Sequence, residues 1–464
     1  MSDKDKKDNL EQRPPLPEGF RVLMAETFGS EEGARLCEGL DTEPSVSIRV
    51  NRAKLERYGV GRDEEARLYP DMTPIEWADG GYRLGTRPRF TSNPLLHAGA
   101  FYVQEGASMW LSELVAPYLP QRPLRALDLC AAPGGKSVAL MEALPEGSLM
   151  VSNELMPARA AVLKENIVKW GYPDRLVTSG PAAAFAQLEG VFDIVVVDAP
   201  CSGEGMMRKD DTARTQWNPG LVESCARLQR EILTDVLPAL RPGGLLVYST
   251  CTFNRSEDER NVEWLVEEHG LEIIHPGRRF LPHRDGTEGL FMALLRRPGE
   301  SEEMPASIPG NQSRGAGKGK GKKGVPALPP ELNDWVEKGE REITERDGKF
   351  YLVGDMASRI AASLPAKVRV LGYGVEIGER KGRDIIPSHE LAVSMVLNKN
   401  SFPSVELSEE EALDYLTRTG LRLPDGTPVG IILLTYHGVP LGWAKNMGNR
   451  ANLLYPKEWR VRTR

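Results

Sequence analysis

Residues 124–137 read LRALDLCAAPGGKS, and the fold turns on them. A short apolar run ends at Asp128, a loop holding Gly134 and Gly135 follows, and residues 137–144 carry a helical pattern. Strand, glycine loop and helix in that order describe the crevice at the carboxyl edge of a parallel sheet, where ligands bind. Glycine there lets a ligand approach the backbone. A Walker A loop would need glycine at position 130, where Cys130 stands, and the G-x-G-x-x-G dinucleotide fingerprint is absent. What remains is a loop able to hold a nucleoside with no phosphate to cradle.

Working outward, strand and helix signals keep alternating. Strands are expected at 149–153, 176–179, 192–197 and 245–249, and helices at 157–170, 221–240 and 257–268. Near-continuous apolar strands separated by helices predict a parallel sheet covered on both faces, an α/β fold. Glu154 ends the second strand. An acid there can bind both hydroxyls of a ribose. Asp128, the Gly134–Gly135 loop and Glu154 together suit S-adenosylmethionine.

The rest of the chain sets bounds. At 464 residues it is long enough for roughly two to four domains. With 40% apolar and 27% charged residues it has an ordinary globular balance, which excludes a wholly disordered chain and a membrane bundle. Its apolar runs are far too short to span a bilayer. The charged start MSDKDKKDNLEQ lacks the apolar centre of a signal peptide and reads as a tail. Five cysteines, an odd number, do not make a disulfide scaffold and point to a cytoplasmic protein with reduced thiols. Six histidines without an HxH or HxxxH pair, and no CxxC, argue against a metal site.

Residues 298–330, with GAGKGKGKKG at 315–324, have little to bury and read as a flexible linker. The expected organisation is a disordered tail at 1–14, an α+β accessory region at 15–120, a catalytic core at 121–297, the linker, and a C-terminal domain at 331–464. Apolar strands are expected in that last domain at 368–371 and 430–435. The net charge of −7 is unevenly spread: residues 441–464 carry six basic side chains against one acid. Tyr436, His437, Trp443, Lys445, Tyr455, Lys457, Trp459 and Arg460 interleave aromatic and basic groups. They suit stacking on bases or, equally, the core of a small β domain.

Two cysteines stand just past the ends of apolar strands: Cys201 in DAPCSGEG (198–205) and Cys251 in YSTCT (248–252). Each alone reads as a buried packing residue, the usual fate of free cysteine. Two on the edge that carries the nucleoside loop suggest chemistry. C5 of a pyrimidine is a poor nucleophile until a thiolate adds to C6 and makes the ring an enamine. C5 can then take a methyl group, lose its proton and expel the thiol. An acid such as Asp198 would hold the ring and offset the developing charge.

These motifs resemble those of the Nop/Sun-type RNA (cytosine-5) methyltransferases. The resemblance rests on ALDLCAAPGGKS, VSNELMPARAAVLKENIVKWG, FDIVVVDAPCSGEGMMRKD and RPGGLLVYSTCTFNRSEDERNV. SIRVNRAKL and HAGAFYVQEGAS are similar to that family's N-terminal region. YGVEIGERKGRDIIPSHELA and YHGVPLGWAKNMGNRANLLYPKEWR are similar to the bacterial RsmF/YebU-like branch and its PUA-like tail. The resemblance implies a Rossmann-like S-adenosylmethionine-dependent methyltransferase core, an RNA-binding accessory region before it and a PUA-like RNA-binding domain after it. It implies Cys251 as the nucleophile and Cys201 as the residue that helps release product. Asp198 is implied to meet both the target cytosine and the cofactor. Cys130, Ala131, Ala132, Pro133, Gly134, Gly135, Lys136 and Glu154 are implied to form the cofactor site, and Arg208 and Lys209 to touch RNA. Met206 and Met207 would be pocket wall.

One departure stands out. Many members of the family have an acid after the third strand for the adenine amine, whereas VTSGPAAAFAQ (177–187) has none. Ser179, or backbone near Gly180, is expected to serve instead. The implied substrate is 16S ribosomal RNA in the small subunit, and the implied state is a monomer free of membrane and metal. Two other readings remain open from the residues: a single-cysteine base methylase using Cys201, and a non-catalytic RNA-binding assembly factor.

Overall fold

The computed structural model describes residues 13–65, 68–300 and 328–462. The expected tail, save Arg13 and Pro14, and most of the expected linker lie outside them.

An eight-stranded sheet forms the centre. Its strands are β1 (Arg125–Asp128), β2 (Leu149–Asn153), β3 (Arg175–Ser179), β4 (Phe192–Asp198), β5 (Leu240–Thr250), β6 (Glu272–Phe280), β7 (Leu290–Arg296) and β8 (Arg369–Tyr373), in the spatial order β6-β7-β5-β4-β1-β2-β3-β8. β1 to β5 run parallel. β6, β7 and β8 are antiparallel additions at the two ends. The chain reverses direction across the sheet between β2 and β4, on either side of β1, so the crevice opens above the carboxyl end of β1.

Helices cover both faces, among them α1 (Gly135–Ala143), α2 (Pro157–Trp170), α3 (Pro219–Val236) and α4 (Glu259–His269). Alternation along β4 divides the core. Ile194 and Val196 pack with Val138 and Leu140 of α1 and Leu163 and Ile167 of α2. Val195 and Val197 pack with Leu233 and Val236 of α3 and Val262 and Leu265 of α4. Both faces being dry explains why these strands read as unbroken apolar runs. The helix expected at 221–240 begins at Pro219, with the Asn218 side chain accepting from the Leu221 amide at 3.0 Å. It ends at Val236, ahead of a 3-10 turn containing Pro238.

The N-terminal region has two helices, Glu18–Phe28 and Ser30–Leu40, and a four-stranded antiparallel sheet ordered Met72–Ile75, Ala78–Leu84, Ser47–Val50, Phe101–Val103. The C-terminal part holds two further four-stranded sheets, of Glu342–Arg346, Lys349–Val353, Val375–Lys381 and Asp384–Pro387, and of Ser404–Glu406, Gly430–Tyr436, Val439–Asn446 and Ala451–Leu453. Between the strands Lys349–Val353 and Val375–Lys381 of the first of these, β8 leaves for the central sheet, where Arg369 pairs with Ser179 and Tyr373 with Leu176. The strand expected at 368–371 as part of a separate C-terminal domain is thus the edge of the catalytic sheet. It covers the backbone row that β3 would otherwise expose.

The C-terminal aromatics divide. Trp443 and Tyr455 are fully buried core residues, whereas Trp459 is half-buried. Tyr455, Tyr415 and Ile432 share one core with Ile48, Val50 and Phe101 of the N-terminal sheet. Among the described residues no helix is long and apolar enough to cross a membrane.

Candidate active site

Register places the chemistry. Asp128 lies beside Ser152 and Val196, and Asp198 beside Ser249, so the ends of β1, β2, β4 and β5 open on one edge. The thiols of Cys201 and Cys251 meet there, sulfur to sulfur at 2.8 Å, and the Cys251 amide donates to the Cys201 sulfur at 3.3 Å. Fifty residues separate the two in sequence. The hydrogen bond to Cys251 and burial both push the Cys201 thiol well above its ordinary pKa, so it stays protonated at neutral pH.

Lys136 reaches Asp198 at 2.9 Å, and the Ser249 hydroxyl donates to the same carboxylate oxygen at 2.8 Å. Burial opposes the charge on Lys136, but Asp198 and Asp128 outweigh it and raise the lysine pKa. Asp198, about a third exposed, is the more accessible partner of the pair.

The glycine loop is tied down from several sides. The Ala131 amide donates to the Asn153 carbonyl at 2.8 Å, Arg159 to the Ala132 carbonyl at 2.8 Å, Asn166 to the Pro133 carbonyl at 2.8 Å and Gln104 to the Gly135 carbonyl at 2.9 Å. Gly134 has φ +120°, which disfavours any side chain there. Asp128 is completely buried and accepts from Ser137 at 2.7 Å. Its Oδ1 has no hydrogen-bond partner among the described residues, and burial pushes its pKa up to about 7. Glu154 is buried, accepts the Met156 amide at 2.9 Å and pairs with Arg159 at 3.3 Å. An orphaned carboxylate oxygen beneath the glycine loop, with a second carboxylate one strand away, fits a nucleoside ligand that donates hydrogen bonds. Cys130 is mostly buried and its thiol pKa is raised by that burial, so it is an inert wall. Ser179 ends β3, 3.5 Å from the Leu155 carbonyl. A Cβ on Gly180 would come within 2.8 Å of Val368, so the C-terminal part closes this end of the edge.

Sequence reasoning missed the carboxylates that hold the two cysteine loops together. Glu204 accepts from the Phe253 amide at 2.7 Å, the Asn254 amide at 3.1 Å, the Asn254 side chain at 3.0 Å and Trp217 at 3.1 Å. Glu257 accepts from the Ser202 amide at 3.0 Å and from its hydroxyl, from Gln229 at 2.7 Å and from Asn254 at 2.8 Å. Asp258 accepts from Thr250 at 2.5 Å and Thr252 at 3.0 Å, on either side of Cys251. The signal was present as acids inside otherwise functional motifs, GEG and SEDE. Arg208, expected to touch RNA, is turned inward: it donates to the Thr287 carbonyl at 3.0 Å and to that of Glu43. Met207 packs beneath the N-terminal helices against Phe20, and only Met206 is exposed.

The profile of the 16S rRNA methyltransferase RsmB/F family matches residues 118–296, the span of the catalytic sheet up to β7. The N-terminal domain of 16S rRNA methyltransferase RsmF matches residues 16–106, and the RsmF PUA domain matches 402–461. The "Ribosomal RNA small subunit methyltransferase F" of Salmonella schwarzengrund is 32% identical over 96% of both chains. This chain belongs to the RsmB/F family. The protein of the same name from Klebsiella pneumoniae is 30% identical over 89% of both chains. NSun6 from Pyrococcus horikoshii shares the fold, at 19% identity and a TM-score of 0.54 over 62% of this chain and 99% of that one. A methyltransferase homolog from the same organism does so at 23% identity and 0.54 over 64% and 100%. The chain is therefore an RNA methyltransferase, and its cofactor is S-adenosylmethionine.

Proposed function

We propose that this methyltransferase methylates C5 of a cytidine in 16S ribosomal RNA, in the cytoplasm, through a covalent bond from Cys251 to C6 of the base. The observation that carries the reading is the contact between the Cys201 and Cys251 sulfurs beside the Lys136–Asp198 pair. Cys130 to Lys136, with Asp128, Glu154, Ser179 and Asp198, would hold S-adenosylmethionine, which supplies an electrophilic methyl group. The target base must leave its stack to reach this edge. Asp198 would accept from the exocyclic amine of cytosine, with Lys136 and Ser249 holding the carboxylate in place. The Cys251 thiolate would add its electron pair to C6, making C5 the nucleophile for the methyl group, whose bond to the sulfonium sulfur would break with its electron pair left on that sulfur. A base then removes the C5 proton, the C5–C6 double bond re-forms, and the Cys251 sulfur leaves with its pair. Cys201, protonated and in contact with that sulfur, is suited to hand it a proton as it departs.

Cys201→Ser and Cys251→Ser variants, each mixed with S-adenosylmethionine and small ribosomal subunits, test this on denaturing gels. A protein–RNA adduct in the Cys201 variant alone is the expected result. An adduct only in the Cys251 variant would reverse the roles. Methylation by the wild type with no adduct in either variant would end the covalent scheme. We further read 15–120 and 331–464, apart from the edge strand β8, as RNA-binding regions around a catalytic unit at 121–297, and the working form as a monomer.

A further inference from the structure

Away from the cysteine edge, a cavity of about 540 Å³ lies where three distant parts of the chain meet. Its wall takes Tyr102 from the strand Phe101–Val103, Asn166 and Trp170 from α2, and Trp459 from the C-terminal tail. That volume falls within the ~300–1,000 Å³ typical of sites for small organic groups. Three cations line it, Lys169, Arg460 and Arg462, against the single acid Glu165, which Lys169 holds at 2.5 Å. Arg460 and Arg462 are exposed, and the Lys169 ammonium lies 5.3 Å from the Trp459 ring.

Two side chains in the wall carry polar atoms with no hydrogen-bond partner among the described residues. Trp170 is 1% exposed and its indole N–H is one of them. His97 is 4% exposed and its Nδ1 is the other. Nε2 of His97 lies 3.0 Å from the Thr91 carbonyl and must donate to it, which leaves Nδ1 an acceptor. Buried polar groups are rarely left unpaired, because each costs free energy. These two atoms lie buried behind the wall, and the wall itself offers aromatic rings under two arginines.

We propose that this cavity takes one unstacked nucleotide of the RNA substrate, distinct from the target base. Trp459 stacks on the base, and Arg460 and Arg462 hold its phosphate. The proposal rests on RNA as the substrate.

The test uses the full chain and small-subunit ribosomal RNA. Trp459→Ala should raise KM for RNA about tenfold with kcat within about twofold, while calorimetric affinity for S-adenosylmethionine holds and Trp459→Phe restores most of the loss. Arg460→Ala with Arg462→Ala, both at exposed positions, should flatten the salt dependence of RNA binding by one to two in the log–log slope. Ultraviolet crosslinking should join Trp459 to one RNA nucleotide. An unchanged KM and salt slope would overturn the proposal. So would a loss shared equally by the Ala and Phe variants and tracked by a lower melting temperature. Protection of Trp459 by millimolar free mononucleotides would assign the cavity to a small molecule instead. A crosslink at Trp459 in a wild type that does not methylate would sink the proposed activity and leave this site standing.

Discussion

Asp128 shows how a single residue carries two burdens. It bonds the Ser137 hydroxyl at the start of α1, and it keeps one oxygen unpartnered under the glycine loop. Burial raises its pKa from an ordinary 3.8 to about 7. In that window the folded state holds a proton that the unfolded chain has released, so this group costs stability as pH rises from about 4 to 7. Asp128→Asn keeps the serine bond and removes the titration. It should flatten the fall in melting temperature between pH 5 and pH 8 while weakening S-adenosylmethionine binding at least tenfold. An unchanged pH slope would show that Asp128 is ionised in the folded state. Lys136→Met leaves Asp198 with Ser249 alone, and should lower kcat about a hundredfold with little change in melting temperature. A thermal shift as large as the kinetic loss would make Lys136 structural. Both residues were legible in the sequence because the strand–loop–helix pattern fixes where they stand. The contact of Cys201 with Cys251 was legible only as two strand ends on one edge.

At the scale of the element, the two cysteine loops are held mainly by buried carboxylates, one of which, Glu204, opens the 3-10 turn Glu204–Arg208. Glu204 collects donors from Phe253, Asn254 and Trp217. Glu204→Gln puts an amide group among those donors, with at most one oxygen left to accept. It should cost about 2–4 kcal/mol in chemical denaturation and lower kcat through a displaced Cys251 loop. Full activity in a destabilised variant would separate the brace from the catalysis. Helix α2 ends at Gly171 with φ +92°, where a Cβ would lie 2.5 Å from the Val393 carbonyl. Gly171 also accepts the Met395 amide at 2.9 Å, so the cap of one helix is the seat of the C-terminal part. Gly171→Ala should cost at least about 1–2 kcal/mol, read as a lower denaturation midpoint, from backbone strain and from the displaced partner. The glycine was visible in the sequence as a helix stop. Its second duty was not, because the partner lies more than two hundred residues further on.

Over the whole molecule, the catalytic sheet, the N-terminal sheet and the C-terminal part behave as one packed body. Arg175 is buried at the start of β3 and pairs with Glu390 at 3.0 Å. Lys54, completely buried, donates to the Ala98 and Lys169 carbonyls and so joins the N-terminal region to the end of α2. Breaking a buried pair from one side leaves an uncompensated charge. Glu390→Ala should therefore cost about 3–5 kcal/mol and speed amide exchange through β3 and β8, as measured by hydrogen–deuterium exchange. Faster exchange confined to residues 389–392 would show that the edge pairing holds without that ion pair. Arg175→Met combined with Glu390→Leu should recover much of the loss.

The amino-acid sequence alone specified the parallel core, its element order and the loops that carry the chemistry. Apolar periodicity, glycine placement and strand-end residues are local properties, and they act over a few residues at a time. Tertiary structure decided the rest. It brought two sulfurs fifty residues apart to 2.8 Å, turned Arg208 away from solvent and moved residues 369–373 into the catalytic sheet. It also merged N- and C-terminal side chains into a single core. The physical reason is that an edge strand accepts a partner through its backbone. Any strand of fitting length and register can pair with it, so the choice is made by what else that strand's neighbours bury.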